Sequence, residues 1–85
     1  MYKVIFSKKA ASFVKNLRKG YRNKIKDVVE ILRENPFGHP YKKIRGETNI
    51  YRIRIGKYRV LYELNKPESK IIIIKVDKRD KMYRF

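Results

Sequence analysis

Apolar positions recur along this chain with two different periods. From residue 10 to residue 32 the spacing is helical: Ala10, Phe13, Val14 and Leu17 first, then Ile25, Val28, Val29 and Leu32 at i, i+3, i+4 and i+7. Ser7 stands where a first helix would be capped. Gly20 predicts that helix's end, preceded by Lys15, Arg18 and Lys19, whose charges suit a C-terminus. Asn35-Pro36 stops the second helix. The two helices form a hairpin with one apolar face, and that face needs a cover.

Strand-like stretches supply the cover. "YKVIF" (2–6) is rich in β-branched and aromatic residues. "PFGHPY" (36–41) reads as a loop, and "KKIRGE" (42–47) leads into "YRIRIGKYRV" (51–60), where apolar and cationic residues alternate. After the turn "NKPES" (65–69) comes "KIIIIKV" (70–76), whose unbroken apolar run predicts a central strand covered on both faces. The predicted order is βααβββ: an α+β fold, an antiparallel sheet with a two-helix hairpin packed on one face. It forms a single domain over 1–85, without repeats, linkers or low-complexity segments.

Gly56-Lys57 fits a two-residue hairpin turn, and that choice fixes the register. Ile55 then faces Tyr58, Arg54 faces Arg59, Ile53 faces Val60, Arg52 faces Leu61, and Tyr51 faces Tyr62. One face is Tyr51, Ile53, Ile55, Tyr58, Val60 and Tyr62, which suits packing on the helices. The other carries Arg52, Arg54, Arg59 and Leu61. Arg54 and Arg59 fall at a non-hydrogen-bonded pair, where Cα atoms approach to about 4.5 Å. Like charges so placed destabilise a sheet by on the order of 1 kcal/mol. Two readings remain open: a phosphate cradle built from guanidinium forks, or a solvated strand face in a basic protein.

Charge changes the weight of that pattern. Twenty-four Lys and Arg against eight Asp and Glu give a net +16, which points to a polyanionic partner. Apolar content of 42% marks a folding sequence and not a basic tail. Cysteine is absent, so no disulfide framework is expected, and the setting reads as reducing and cytoplasmic. No apolar run is long enough for a signal peptide or a membrane span. The acidic residues show no pairing typical of metal or carboxylate catalysis. Glu63 lies nearest the arginine face, as a local charge balance. Tyr51, Tyr58 and Tyr62 read as core, and Lys8 and Lys9 as solvated surface. Lys42, Lys43 and Arg45 cluster ahead of the hairpin as candidate RNA or ribosome contacts. His39, the lone histidine, sits in a proline-flanked loop and reads as a spacer rather than a catalyst.

The strings "NPFGHPYKKIRG", "YRIRIGKYRVLYE" and "VDKRDKMY", with the opening "YKVIFSKKAASFVKNL", resemble the RelE toxins of the RelE/ParE superfamily, in order over nearly the whole chain. The resemblance implies a type II toxin-antitoxin toxin that cleaves mRNA in the ribosomal A site, by attack of a ribose 2′-OH on the adjacent phosphate. It implies no metal or other cofactor. The implied partners are the ribosome, mRNA and an acidic RelB-like antitoxin that wraps the toxin in a higher-order heteromer. The family's basic strand positions fall on Arg52, Arg54 and Arg59, and its C-terminal Arg and Tyr on Arg79 and Tyr83. Lys78 stands where many members carry a His, and Arg stands where many carry a strand Lys. Arginine does not give up its proton near neutrality, so the proton-transfer residue is left unassigned. Two alternatives share the fold: a ParE-type inhibitor of DNA gyrase, and a non-catalytic RNA- or ribosome-binding module.

Overall fold

The computed structural model describes residues 1–78. In chain order the elements are β1 (Lys3–Phe6), α1 (Lys8–Lys15), α2 (Lys19–Glu34), β2 (Tyr41–Lys43), β3 (Ile50–Ile55), β4 (Tyr58–Asn65) and β5 (Lys70–Lys78). The strands form one sheet in the order β1-β5-β4-β3-β2. Every neighbouring pair is antiparallel except β1 with β5, which is parallel. The α+β expectation holds, with one strand more than the sequence pattern predicts. Three residues inside "PFGHPYKKIRGE" pair with β3 as an edge strand, too short to show a period of its own.

Both helices pack on one face of the sheet. Ala10 of α1 and Ile25, Val28, Val29 and Leu32 of α2 join Ile53, Ile55, Tyr58, Val60, Tyr62, Leu64, Ile71, Ile73 and Val76 in a single core. Full burial of each large aliphatic side chain contributes about 1.5–3 kcal/mol. No helix among the described residues is long and apolar enough to cross a membrane.

Two local expectations are corrected. Gly20 does not end α1. The helix closes at Asn16, whose N–H donates to the Phe13 carbonyl while the Leu17 N–H donates to that of Val14, and Gly20 lies in the first turn of α2. Leu17 joins the core edge, and Arg18, in extended conformation, reverses the chain without a left-handed residue. Nor is β5 covered on both faces. It is an interior strand, but Ile72 and Ile74 are only half-buried on the face away from the helices, beside Ile5 at 37% exposure.

A β-bulge closes the isoleucine run of β5. Tyr62 pairs with Ile73 and Leu61 with Lys75, so Ile74 is the extra residue. Its carbonyl accepts a hydrogen bond from the Ser7 hydroxyl at 2.8 Å, and Ser7 Oγ in turn accepts from the Ala10 amide at 3.0 Å. One hydroxyl therefore caps α1 and ties it to the bulge.

Behind the hairpin, the buried Tyr62 donates its phenol proton to the Pro36 carbonyl at 2.8 Å, anchoring the loop that follows α2. Burial first, then the phenols of Tyr51 and Tyr41, hold the Tyr62 phenol well above its ordinary range. The folded protein keeps that proton at a pH where the unfolded chain loses it. The contribution is complete below about pH 10 and declines as the pH rises further. Tyr62→Phe should cost about 1–3 kcal/mol at neutral pH by stripping a donor from a buried carbonyl. Denaturant unfolding of both proteins should show this gap narrowing above about pH 10, where the wild type alone loses the phenol's contribution. A gap that stays constant there would contradict the assignment.

Candidate nucleic-acid interface

The hairpin register is the one that Gly56-Lys57 dictates: Ile55 opposite Tyr58, Arg54 opposite Arg59, Ile53 opposite Val60 and Arg52 opposite Leu61. Gly56 has φ +60°, which suits the first central position of such a turn. Since Ile53, Ile55, Tyr58 and Val60 are in the core, strand alternation turns Arg52, Arg54 and Arg59 to the opposite face. Arg52 and Arg59 are half-buried, and Arg54 is exposed.

The edge strand completes the site. Lys42 pairs with Arg52, so it shares the arginine face. Arg52, Arg54, Arg59 and Lys42 line one cavity of about 400 Å³ with His39, Pro40, Tyr41 and Ile53. No carboxylate of the described residues lines it. Such a wall suits a phosphodiester: guanidinium groups can converge on its oxygens, and the charged groups among its described lining residues are all cationic.

The remaining candidates sit elsewhere. Lys43 pairs with Tyr51 and so faces the helix side of the sheet. Arg45 is exposed in the turn between β2 and β3. Lys78 pairs with Tyr58, again on the helix side, and its amide donates to Asp77 Oδ1 at 2.7 Å. None of the three lines the cavity. Arg79 and Tyr83 lie outside the described residues.

Two residues carry more than the sequence reading gave them. Asp77, not Glu63, lies directly across from Arg59, through a strand pairing that only the bulged register reveals. The other is His39, whose Nε2 lies 3.0 Å from the Arg54 carbonyl, in the cavity wall. The missing signal was β2. Once Tyr41 is known to pair with Ile53, the register running backwards carries residues 40 and 39 alongside Arg54 and Ile55.

Known proteins resemble the chain along its length. The family model for the ParE toxin of type II toxin-antitoxin system, parDE, matches residues 4–83. "Putative toxin RelE1" of Methanocaldococcus jannaschii is 31% identical, over 98% of this chain and 96% of that protein. The RelE–RelB complex from Pyrococcus horikoshii OT3 contains a chain with TM-score 0.81 and 28% identity, covering 92% of this chain and 94% of that one. The RelB–RelE antitoxin-toxin complex from Methanococcus jannaschii gives TM-score 0.76 at 30% identity, covering 95% and 96%.

The arginine pair makes a stability prediction that separates the two guanidinium groups. Arg54→Ala removes a like-charge neighbour and leaves the carbonyl that meets His39 in place. Its melting temperature should be unchanged or raised by a few degrees. Arg59→Ala relieves the same repulsion but strips Asp77 of the cation across from it, so its gain should be smaller or absent. Thermal unfolding of the two variants at low salt reads the difference. A marked drop for Arg54→Ala would mean that its guanidinium supports the fold.

Proposed function

The chain belongs to the RelE/ParE superfamily of type II toxin-antitoxin toxins, and within it to the RelE family; from that premise we propose that it is an endoribonuclease that cleaves mRNA in the ribosomal A site. The observation that carries the reading is the cavity walled by Arg52, Arg54, Arg59 and Lys42, with no carboxylate among its described lining residues. In the proposed reaction a ribose 2′-oxygen attacks the adjacent phosphorus, and negative charge builds on the pentavalent phosphorane. Fixed guanidinium groups stabilise that charge more than the ground state, which is the condition for a rate gain. Lys42 adds a contact to the RNA backbone. Lys43, Arg45 and Lys78 are proposed to meet RNA or ribosome outside the cavity. Arg79 and Tyr83 keep the roles that the family resemblance implies, at the scissile phosphate and at a splayed base or the 2′-OH.

Incubating the protein with mRNA, with and without translating ribosomes, and mapping the ends tests this directly. Cuts should appear only with ribosomes, and Arg54→Ala should lower their rate by roughly 10²–10³-fold, the usual effect of losing one donor at a developing charge. Absence of cuts together with inhibition of gyrase supercoiling would move the protein to the ParE activity. Ribosome binding without cuts would make it a binding module.

The partner is proposed to be an acidic antitoxin of the RelB type, since its fold relatives include RelE chains in complex with RelB. A net +16 with an open arginine face makes the association electrostatic in large part. The association rate of the pair should fall steeply between about 50 and 500 mM salt, because the Debye length shrinks below the span of the basic face. A rate indifferent to salt would contradict the electrostatic account.

A further inference from the structure

We propose that His39 is the general base of the cleavage reaction, accepting the 2′-hydroxyl proton at Nδ1; this rests on the endoribonuclease reading above. His39 Nε2 lies 3.0 Å from the backbone carbonyl oxygen of Arg54. A carbonyl only accepts, so Nε2 carries the proton and donates it. In the neutral ring the lone pair is then on Nδ1, turned away from the strand that holds the other nitrogen.

Position makes that lone pair useful. His39 is half-buried in the wall of the same cavity that Arg52, Arg54 and Arg59 line, so a phosphodiester held by the arginines lies beside the imidazole. The other residues that line the cavity are Pro40, Tyr41, Lys42 and Ile53. Arginine stays protonated throughout the physiological range, and imidazole is the side-chain type that exchanges protons near neutrality. Among the cavity's lining residues, His39 is the only one of that type.

The loop is built to hold the ring still. Pro36 is fastened by the Tyr62 phenol at 2.8 Å. The Phe37 amide donates to Asn35 Oδ1 at 3.0 Å, and the Gly38 amide to the Asn35 carbonyl at 2.9 Å. A Cβ at Gly38 would come within 2.9 Å of Ile31 Cγ2 and 3.1 Å of the Asn35 carbonyl oxygen, so the chain can turn this tightly only without one. Pro40 limits the backbone on the other side of His39. The Arg54 carbonyl then orients the ring and stabilises the imidazolium that forms. A third group orients the base in catalytic triads in the same way.

The step balances without a co-reactant. The 2′-O–H proton passes to Nδ1 as the O2′–P bond forms. The P–O5′ bond breaks, and the departing oxygen takes a proton from water. The imidazolium returns its proton to solvent. A 2′,3′-cyclic phosphate and a 5′-hydroxyl result.

The test compares wild type, His39→Gln, His39→Ala and Arg54→Ala in single-turnover cleavage of ribosome-bound mRNA, with melting temperatures and ribosome affinities measured alongside. Glutamine keeps a donor for the Arg54 carbonyl but accepts no proton at neutral pH. His39→Gln should therefore stay folded and bound while cleaving roughly 10²–10⁴-fold more slowly, the usual span for general-base loss. Added imidazole should restore part of the rate of His39→Ala and none of that of Arg54→Ala. Wild-type cleavage with His39→Gln at nearly the same rate overturns the assignment. So does a slow His39→Ala that imidazole does not restore, since that is the signature of a structural residue. A wild type that makes no cuts at all overturns the endoribonuclease reading itself and this inference with it.

Discussion

The turn at Gly56-Lys57 decides which side of the sheet every residue of the central hairpin faces. Side chains alternate along a strand, so a slip of one residue would expose Ile53, Ile55, Tyr58 and Val60 and bury Arg52, Arg54 and Arg59. Burying an unpaired guanidinium costs far more than any alternative pairing could return. The apolar face thus pins the register as firmly as the turn does, and the cationic face follows. Core and candidate site are two readings of one register. Tyr21 closes over the turn, 3.6 Å from where a Cβ on Gly56 would stand, with Lys57 above its ring at 5.2 Å.

That register imposes a cost, because it sets Arg54 against Arg59 and Lys42 against Arg52. Each close like-charge pair costs on the order of 1 kcal/mol or less, and each buried aliphatic side chain on the helix side contributes about 1.5–3 kcal/mol. The core therefore carries the repulsion with a wide margin. Among the described residues, the carboxylates near this face are Asp77, across from Arg59, and Glu63, two residues beyond Leu61. Leu61 itself is 2% exposed, although it lies on the face that the helices do not cover. Its register neighbours are Arg52 and Lys75, long side chains whose aliphatic stems suit that cover. Packing against Leu61 would hold the Arg52 stem in place, so less freedom is lost when its guanidinium meets an anion.

The parts of this architecture legible in the sequence are those with a period or a stop signal. The Ile25–Leu32 stripe, the Ser7 cap, the Asn35-Pro36 stop and the hairpin register all follow from spacing, and the structure has each of them. What escaped depended on pairing at a distance. β2 has only three residues, too few to alternate, and exists because β3 offers it an edge. The bulge at Ile74 leaves no mark in "KIIIIKV", yet it sets Asp77 opposite Arg59. Gly20 looked like a helix end because glycine often is one, but Arg18 reverses the chain in an ordinary extended conformation. His39 was discounted for the same reason that β2 was missed. A loop residue gains meaning only when the strand after it is placed.

A wall of arginines also constrains what else the site must contain. Guanidinium groups hold a phosphate in a fixed geometry and keep their charge through any pH the cell meets, so they stabilise a phosphorane well and transfer no proton. A lysine on the strand could do some of both, with a less directional grip. Under the proposed cleavage, a strand specialised for charge leaves proton transfer to another element, one that reaches the cavity without adding a carboxylate that would cancel its field. An imidazole meets the condition, since it accepts a proton from a neutral state. The loop between α2 and β2 is the segment that the register brings to the Arg54 end of the cavity, and His39 is its one titratable side chain. Because that loop is anchored from behind by Tyr62, the arginine-bearing strand and the His39 loop share one support: the β4 tyrosine whose backbone pairs with β3 and whose hydroxyl holds Pro36.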